Sequence, residues 1–437
     1  MRAPDELRTL LRLSGPLILG YAGSQLMSMT DTAMVGRLGA GALAGVGIGN
    51  GVYFTVSVFG LGCVAGMEAP VAQAFGAGEP MRARRLLWQG MRVACGVSLP
   101  LVVIMSFLPS ILPWCGIDAA TTAEVRAYLW TRMLNVLPYL VFIGQRAYLQ
   151  AAGVTRPIVV ATAVGIAANA LGNWLLIYRV GWGVAGAGLA STLAATAMCA
   201  MMGPAIARID APPDAQRRRF DRGLVRTILR LGVPNGLQVV AEVGVFATVG
   251  VLAGRIGATS AAAHLVAITL ASFTFCVTLG IGAATSVRVG VHVGAGDFRS
   301  ARHAGLVGLG ASSVFMTASA LAFFAFAPEL AEALTNDPSV LAVAIPLVHV
   351  AAIFQLSDGL QATAAGALRG AGDPHAPLYA NLVGHWVLGL PVAVALGFYA
   401  HEGAVGLWWG LSLGLTAVAI GLIARFLWLS SRPIRRV

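Results

Sequence analysis

Apolar residues run through this chain in stretches of about 20 to 30, broken by short joints that hold most of the charges and prolines. A helix needs roughly 20 apolar residues to cross the hydrocarbon core of a bilayer. The pattern therefore predicts twelve spans, near 12–36, 42–74, 87–113, 123–151, 157–178, 184–207, 226–254, 259–288, 303–328, 338–368, 376–400 and 404–430. A transmembrane β-barrel would alternate polarity within segments of about ten residues, and no such alternation occurs. The expected fold is an all-α integral membrane protein with twelve transmembrane helices.

The spans repeat. With an offset of 218, "LRLSGP" (11–16) lies on "LRLGVP" (229–234), Gly36-Arg37-Leu38-Gly39-Ala40 on Gly254-Arg255-Ile256-Gly257-Ala258, and "FGAGE" (75–79) on "VGAGD" (293–297). With one and then two extra residues, "LQAAG" (149–153) lies on "LRGAG" (368–372) and "GVAG" (183–186) on "GAVG" (403–406). The chain thus divides into an N-terminal six-helix half at 1–207, a polar cytoplasmic linker at 208–223 and a C-terminal six-helix half at 224–437. An even number of spans per half makes the copies parallel, the arrangement of transporters that work by alternating access.

Composition agrees with a membrane setting: 57% of residues are hydrophobic and only 11% charged, against about a quarter charged in soluble domains. The net charge of +11 comes entirely from arginine. With both termini cytoplasmic, all of the arginines except Arg37, Arg126, Arg132, Arg179 and Arg255 fall on the cytoplasmic side, the positive-inside bias. The basicity is thereby explained without nucleic acid as a partner. The N-terminus carries acids and no small-residue cleavage site, so no removable signal peptide is expected. Cys63, Cys95, Cys115, Cys199 and Cys276 show no paired spacing and read as packing residues. With no lysine there is no P-loop, and no zinc-binding H-E-x-x-H or Cys/His cluster is present, so neither ATP hydrolysis nor enzymatic metal chemistry is expected.

Ionisable residues in the bilayer interior cost about 2.5 to 3.5 kcal/mol each on insertion scales and point to function. Asp31 lies in the first span, Glu242 in the seventh and Asp358 in the tenth. Ser24, Ser28 and Asp31 fall at i, i+4 and i+7 on one helix face, and Asn169 and Asn173, one turn apart, can complete a polar cluster with them. Gln238 precedes Glu242 by one turn, while Gln355 and Gln361 flank Asp358. Arg37, at the membrane edge, is the basic residue the sequence places nearest Asp31. A carboxylate so placed can hold a proton, a sodium ion or a cationic cargo in turn, which is the physical basis of antiport. Sodium would sit at Glu242 and Asp358, or at Asp31, Asn169 and Asn173. Glu68 and Gln73, near the cytoplasmic end of the second span, suit gating or scaffold roles as well as ion binding. Tyr21, Tyr53, Phe54, Phe246, Phe273, Phe275 and Phe354 can either line a cavity for flat cations or pack in the core. His264, His349 and His385 read as satisfied packing residues, as do Met198, Met201 and Met202.

Taken in order, "TDTAMVGRLGA", "EAPVAQAFGAGE", "LQAAGVTRP", "VPNGLQVVAEVGVF" and "FQLSDGLQATAAGALRGAGDP" resemble the multidrug and toxic compound extrusion (MATE) transporters over essentially the whole chain. The acids resemble the NorM-like branch, which carries one in helix 7 and one in helix 10, matched by Glu242 and Asp358, besides the helix 1 aspartate matched by Asp31. The DinF-type branch pairs that aspartate with another in helix 5, where Asn173 stands here, with Asn169 one turn earlier. The resemblance implies two pseudo-symmetric six-helix bundles in the bacterial inner membrane and a monomer that exports small cationic amphipathic drugs. It implies drive by Na+ or H+, without a cofactor. A flippase for a lipid-linked precursor, from the same wider superfamily, is the alternative. Such proteins often have fourteen spans and an arginine-lined cavity, whereas the intramembrane charges here are mainly acidic.

Overall fold

The structure, a computed structural model, describes residues 3–209 and 218–437. Residues 210–217, the middle of the expected linker, lie outside the described residues. Among the described residues all regular structure is helical: α1 (Ala3–Gly36), α2 (Ala40–Ala65), α3 (Glu68–Gly76), α4 (Pro80–Phe107), α5 (Ala119–Arg132), α6 (Val136–Ala151), α7 (Arg156–Asn173), α8 (Gly183–Ala207), α9 (Arg222–Ile256), α10 (Ala258–Gly294), α11 (Phe298–Ala325), α12 (Ala327–Glu332), α13 (Pro338–Gly370), α14 (His375–Asn381), α15 (Leu390–Val394) and α16 (Gly403–Leu429). Among the described residues, ten helical stretches are long and apolar enough to cross a bilayer. The spans predicted at 12–36 and 123–151 fall on α1, which carries Asp31, and on α5 and α6, which are parted by a 3₁₀ turn at Met133–Asn135 and carry Arg126, Arg132 and Arg146.

The repeated glycines are turn glycines. Gly78 and Gly296 adopt φ of 71° and 75°, and Gly153 and Gly372 adopt 74° and 86°. Only glycine enters that region without a steric penalty, so the "GAG" and "AAG/GAG" motifs recur because the same turn recurs. Polar caps start other helices: Asp118, Asp297 and Asp337 begin α5, α11 and α13, accepting from the amides of Thr121, Ser300 and Ser339. Those bonds hold the three carboxyls below their ordinary range.

Packing divides the chain into two compact units, one of residues 19–236 with Val437 and the other of residues 1–18 with 237–436. The division falls inside α1 and α9, two residues beyond Pro16 and Pro234, rather than at the linker. Each proline removes a helical hydrogen bond and crowds the preceding turn, and the two are equivalent in the repeat.

In the N-terminal unit, α2 crosses the first part of α9 at glycine. A Cβ on Gly62 would lie 2.3 Å from the Gly236 Cα, and one on Gly232 would lie 2.0 Å from the Cys63 carbonyl oxygen. In the C-terminal unit, α10 meets the first part of α1 at the repeat-equivalent place, where a Cβ on Gly280 would lie 2.9 Å from the Ile18 nitrogen. Farther along α10, Gly282 and Gly366 bring α13 into backbone contact, a Cβ on Gly366 falling 2.2 Å from the Gly282 carbonyl oxygen. Lipid offers no hydrophobic drive between helices, so close approach through small residues supplies the packing. Around this seam Phe354, Trp408, Leu407, Leu411 and Val348 are almost wholly buried. Gly366→Val and Gly232→Val should each destabilise the protein by several kcal/mol through backbone overlap, while Gly421→Ala, which meets nothing within 4 Å, should be neutral; thermal unfolding in detergent measures all three.

At one end of the C-terminal unit, Glu6 of α1 accepts from Arg288 Nε and Nη2 of α10, both at 2.7 Å, with His292 Nε2 at 3.5 Å. Burial raises the Glu6 carboxyl, but hydrogen bonds and charge from Arg288 and His292 outweigh it and hold the group down at about 2. A depressed carboxyl stabilises the fold at pH values above its unfolded pKa and loses that contribution as pH falls. Wild-type stability should therefore drop between about pH 4.5 and 2, and Glu6→Gln, which cannot ionise, should flatten that drop in a pH series of unfolding temperatures.

Candidate functional site

Each unit gathers polar side chains around buried acid. In the N-terminal unit, the i, i+4 spacing of Asn169 and Asn173 on α7 points both amides at α1. Asp31 Oδ1 accepts from Asn169 Nδ2 at 2.8 Å and from Asn173 Nδ2 at 2.6 Å. Oδ2 accepts from Ser191 Oγ of α8 at 2.7 Å. Ser191 reaches this point because Gly188, one turn earlier, lets α8 touch α5: a Cβ there would lie 2.7 Å from the Tyr128 carbonyl oxygen. Asn135 Nδ2 then donates to the Ser191 carbonyl at 2.8 Å, and Tyr53 donates to Asn135 Oδ1 at 3.1 Å. Asp31, Asn169, Asn173, Ser191 and Asn135 are all buried.

The cation beside Asp31 is Arg132, not Arg37. Arg132 Nη1 stands 3.9 Å from Asp31 Oδ2, and the guanidinium lies over the Tyr53 ring at 4.5 Å. The sequence pattern counted Arg132 on the outer side, within the span at 123–151, but it ends α5 and turns inward to Asp31. Ser24 and Ser28 do not join the cluster: Ser24 donates back to the Gly20 carbonyl, and Ser28 accepts from Asn50. They share the helix face of Asp31 without sharing its partners. Ser191, Asn135 and Arg132 escaped the sequence reading because nothing in "GLASTLAAT" or "WTRMLN" distinguishes them from packing or loop residues.

In the C-terminal unit, Glu242 of α9 accepts from Gln238 Nε2 at 3.0 Å on one oxygen and from Gln361 Nε2 of α13 at 2.8 Å on the other. Asp358, three residues before Gln361, is buried and within electrostatic range of Glu242. The amide nitrogens of Gln238 and Gln361 are spent on Glu242, and their carbonyl oxygens are buried without a hydrogen-bond partner. Two carboxylates with amide oxygens nearby form a hard-oxygen donor set, the kind suited to a hard cation or a proton. Among the described residues no group of three or more His, Cys, Asp or Glu is arranged for a metal ion, so any metal site here draws on the amides.

Other candidates lie elsewhere. Gln355 turns from Asp358 to Thr274 of α10 and Ser319 of α11, at 3.0 and 3.2 Å. Phe354 is 1% exposed and stacks on Trp408 at 5.5 Å, so it is core and lines no cavity. His264 is satisfied by the Trp408 indole at 3.1 Å, whereas His385 is buried with both ring nitrogens unpartnered, contrary to a satisfied packing role. Glu68, at the start of α3, is within electrostatic range of Arg146, which donates to the Tyr21 hydroxyl at 3.3 Å and covers its ring.

The two halves support their acid-bearing helices alike. α7 continues as a π-helical stretch, Trp174–Arg179, from which Tyr178 donates to the Met34 carbonyl of α1 at 2.5 Å. α14 continues as another, Leu382–Gly389, from which Trp386 donates to the Ala241 carbonyl of α9 at 3.0 Å. π-Stretches recur at functional positions because they re-aim side chains; here each aims an aromatic donor at the backbone beside an acid. Asp31→Asn should leave Arg132 without its anion and cost about 3 to 5 kcal/mol, whereas Ser191→Ala removes the bond to the carboxylate, worth about 1.5 to 3 kcal/mol, and the weaker one that Ser191 Oγ accepts from Asn169 at 3.1 Å. Unfolding temperatures in detergent measure both, the Asp31→Asn shift being the larger.

A family model described as MatE matches residues 16–175 and 234–395, one match in each half. The chain is 38% identical to a probable multidrug resistance protein NorM of Deinococcus radiodurans, over 97% of this chain and 95% of that one. It is 34% identical to a multidrug resistance protein NorM of Burkholderia vietnamiensis, over 95% and 92%. In fold it is similar to the Vibrio cholerae MATE transporter VcmN in the bent form, with a TM-score of 0.89 at 18% identity and 98% of each chain covered. A eukaryotic MATE transporter, AtDTX14, gives 0.89 at 21% identity, covering 97% of this chain and 96% of that one.

Proposed function

The chain belongs to the MatE family of membrane transporters, and from that premise we propose that it is a secondary multidrug efflux antiporter that exports small cationic amphipathic drugs in exchange for Na+ or H+. It is a multi-pass membrane transporter and not an enzyme. The reading places it in a bacterial inner membrane as a monomer, with both termini cytoplasmic, in line with the arginine bias and with relatives named for multidrug resistance.

The observation that carries the reading is the acid pair of the C-terminal unit. Glu242 and Asp358 stand in electrostatic range of each other, with two amide oxygens beside them left unpartnered. Two carboxylates inside a membrane bundle, Asp358 buried and Glu242 half-buried, cannot both stay charged without a cation, because removing charge from water is costly and like charges repel. A coupling ion or proton relieves that cost on entry. A cationic drug relieves it equally well, so the two compete for one negative site. Alternating access converts this competition into exchange: the ion enters from outside as drug leaves, and departure of the ion inside restores the site for new drug. Asp31, with Asn169 and Asn173, forms the second acidic site, in the N-terminal unit.

Dye efflux from proteoliposomes under an imposed Na+ gradient or an imposed pH gradient tests this and identifies the coupling ion. One gradient should drive efflux, and Glu242→Gln or Asp358→Asn should reduce it by roughly ten- to a hundredfold, the range of a coupling free energy of 1 to 3 kcal/mol. Efflux that ignores both gradients would overturn the antiport mechanism.

A further inference from the structure

The Arg132 guanidinium is held unlike a structural clamp. Arg288 meets Glu6 through two parallel bonds of 2.7 Å, the bidentate geometry that arginine uses to lock a carboxylate. Arg132 approaches Asp31 no closer than 3.9 Å, and its Nε is buried without a hydrogen-bond partner. Asp31 meanwhile already accepts three hydrogen bonds from Asn169, Asn173 and Ser191. What retains the guanidinium is net charge and an aromatic face, the Tyr53 ring at 4.5 Å. Tyr128 and Tyr139 add two more phenols to its electrostatic surroundings.

A carboxylate beside aromatic faces is the chemistry that recognises quaternary ammonium and other organic cations. Here the protein's own side chain stands in that position. We propose that Arg132 is a tethered competitor: it occupies the organic-cation position between Asp31 and Tyr53, and a small amphipathic cation binds there by displacing the guanidinium. Arginine stays protonated at any relevant pH, so deprotonation does not release it. Displacement is a direct contest of cations for one carboxylate and one ring. The loose attachment keeps the contest close, because the departing guanidinium gives up one long ion pair and one ring contact instead of a bonded fork. This inference rests on the reading of the protein as an exporter of organic cations.

The test is binding of tetraphenylphosphonium to the full-length protein in detergent, by equilibrium dialysis, for wild type, Arg132→Gln, Asp31→Asn and the Asp31→Asn/Arg132→Gln double variant. Removing the competitor should tighten binding about tenfold in Arg132→Gln relative to wild type. It should also tighten binding in the double variant relative to Asp31→Asn, where the remaining guanidinium repels the probe. A merely structural arginine predicts weaker binding in both comparisons. If Arg132→Gln does not fold with Asp31 unpaired, the second comparison decides alone, since the double variant removes both charges of the pair. If wild type binds and removal of Arg132 tightens neither pair, the competitor is overturned and the export reading stands; if none of the four proteins binds, the export reading falls and the competitor with it.

Discussion

A carboxylate inside a lipid-embedded helix bundle must find a neutralising partner, and the local structure around the three intramembrane acids answers to that requirement. Asp31 is met by two amides, a hydroxyl and a guanidinium. Glu242 is met by two amides and shares its surroundings with a second acid. One site holds a guanidinium 3.9 Å from its acid, whereas the other gathers two acids and feels Arg369 only beyond ion-pair distance. That asymmetry, inside a frame that is otherwise duplicated, separates the chemistry of the two halves.

The frame itself rests on close approach at small residues. Glycine at 62, 232, 236, 280, 282 and 366 lets helix backbones touch where any larger residue would overlap, and in lipid such contact is the main source of helix association. Close approach also serves the sites. Gly188 brings Ser191 within reach of Asp31, and the packing of α13 on α10 fixes Gln361 against Glu242. Scaffold and site are thus one construction: the glycines that pack the helices also set the distances at the carboxylates.

A transporter needs its coupling groups on elements that are rigid locally yet differ in what they will accept. The π-helical stretches contribute to the first condition by anchoring α1 through Tyr178 and α9 through Trp386, each close to its acid. The differing charge at the two sites contributes to the second. Under the proposed mechanism, Asp31 with Arg132 in place would exchange one cation for another, while Glu242 and Asp358, two acids together, would take up an ion outright.

The sequence by itself determined a great deal. Apolar runs gave the helices and the membrane, and the recurrence at an offset near 218 gave two equivalent halves, because turn glycines and helix lengths are local properties. Helical spacing was enough to pair Asn169 with Asn173 and to set Gln238 one turn from Glu242, and both pairs do bond to their acids. Tertiary structure decided what lies between helices distant in the chain. Only folding shows that Arg132 turns inward to Asp31, that Ser191 completes that cluster, that Ser24, Ser28 and Gln355 spend their polarity elsewhere, and that Phe354 packs on Trp408. It also set the division between the packed units two residues beyond Pro16 and Pro234, inside α1 and α9. The reason is the same in each case: periodicity fixes which face of a helix a residue occupies, whereas its partner depends on which helix packs there, at what depth, and how closely the glycines let it come.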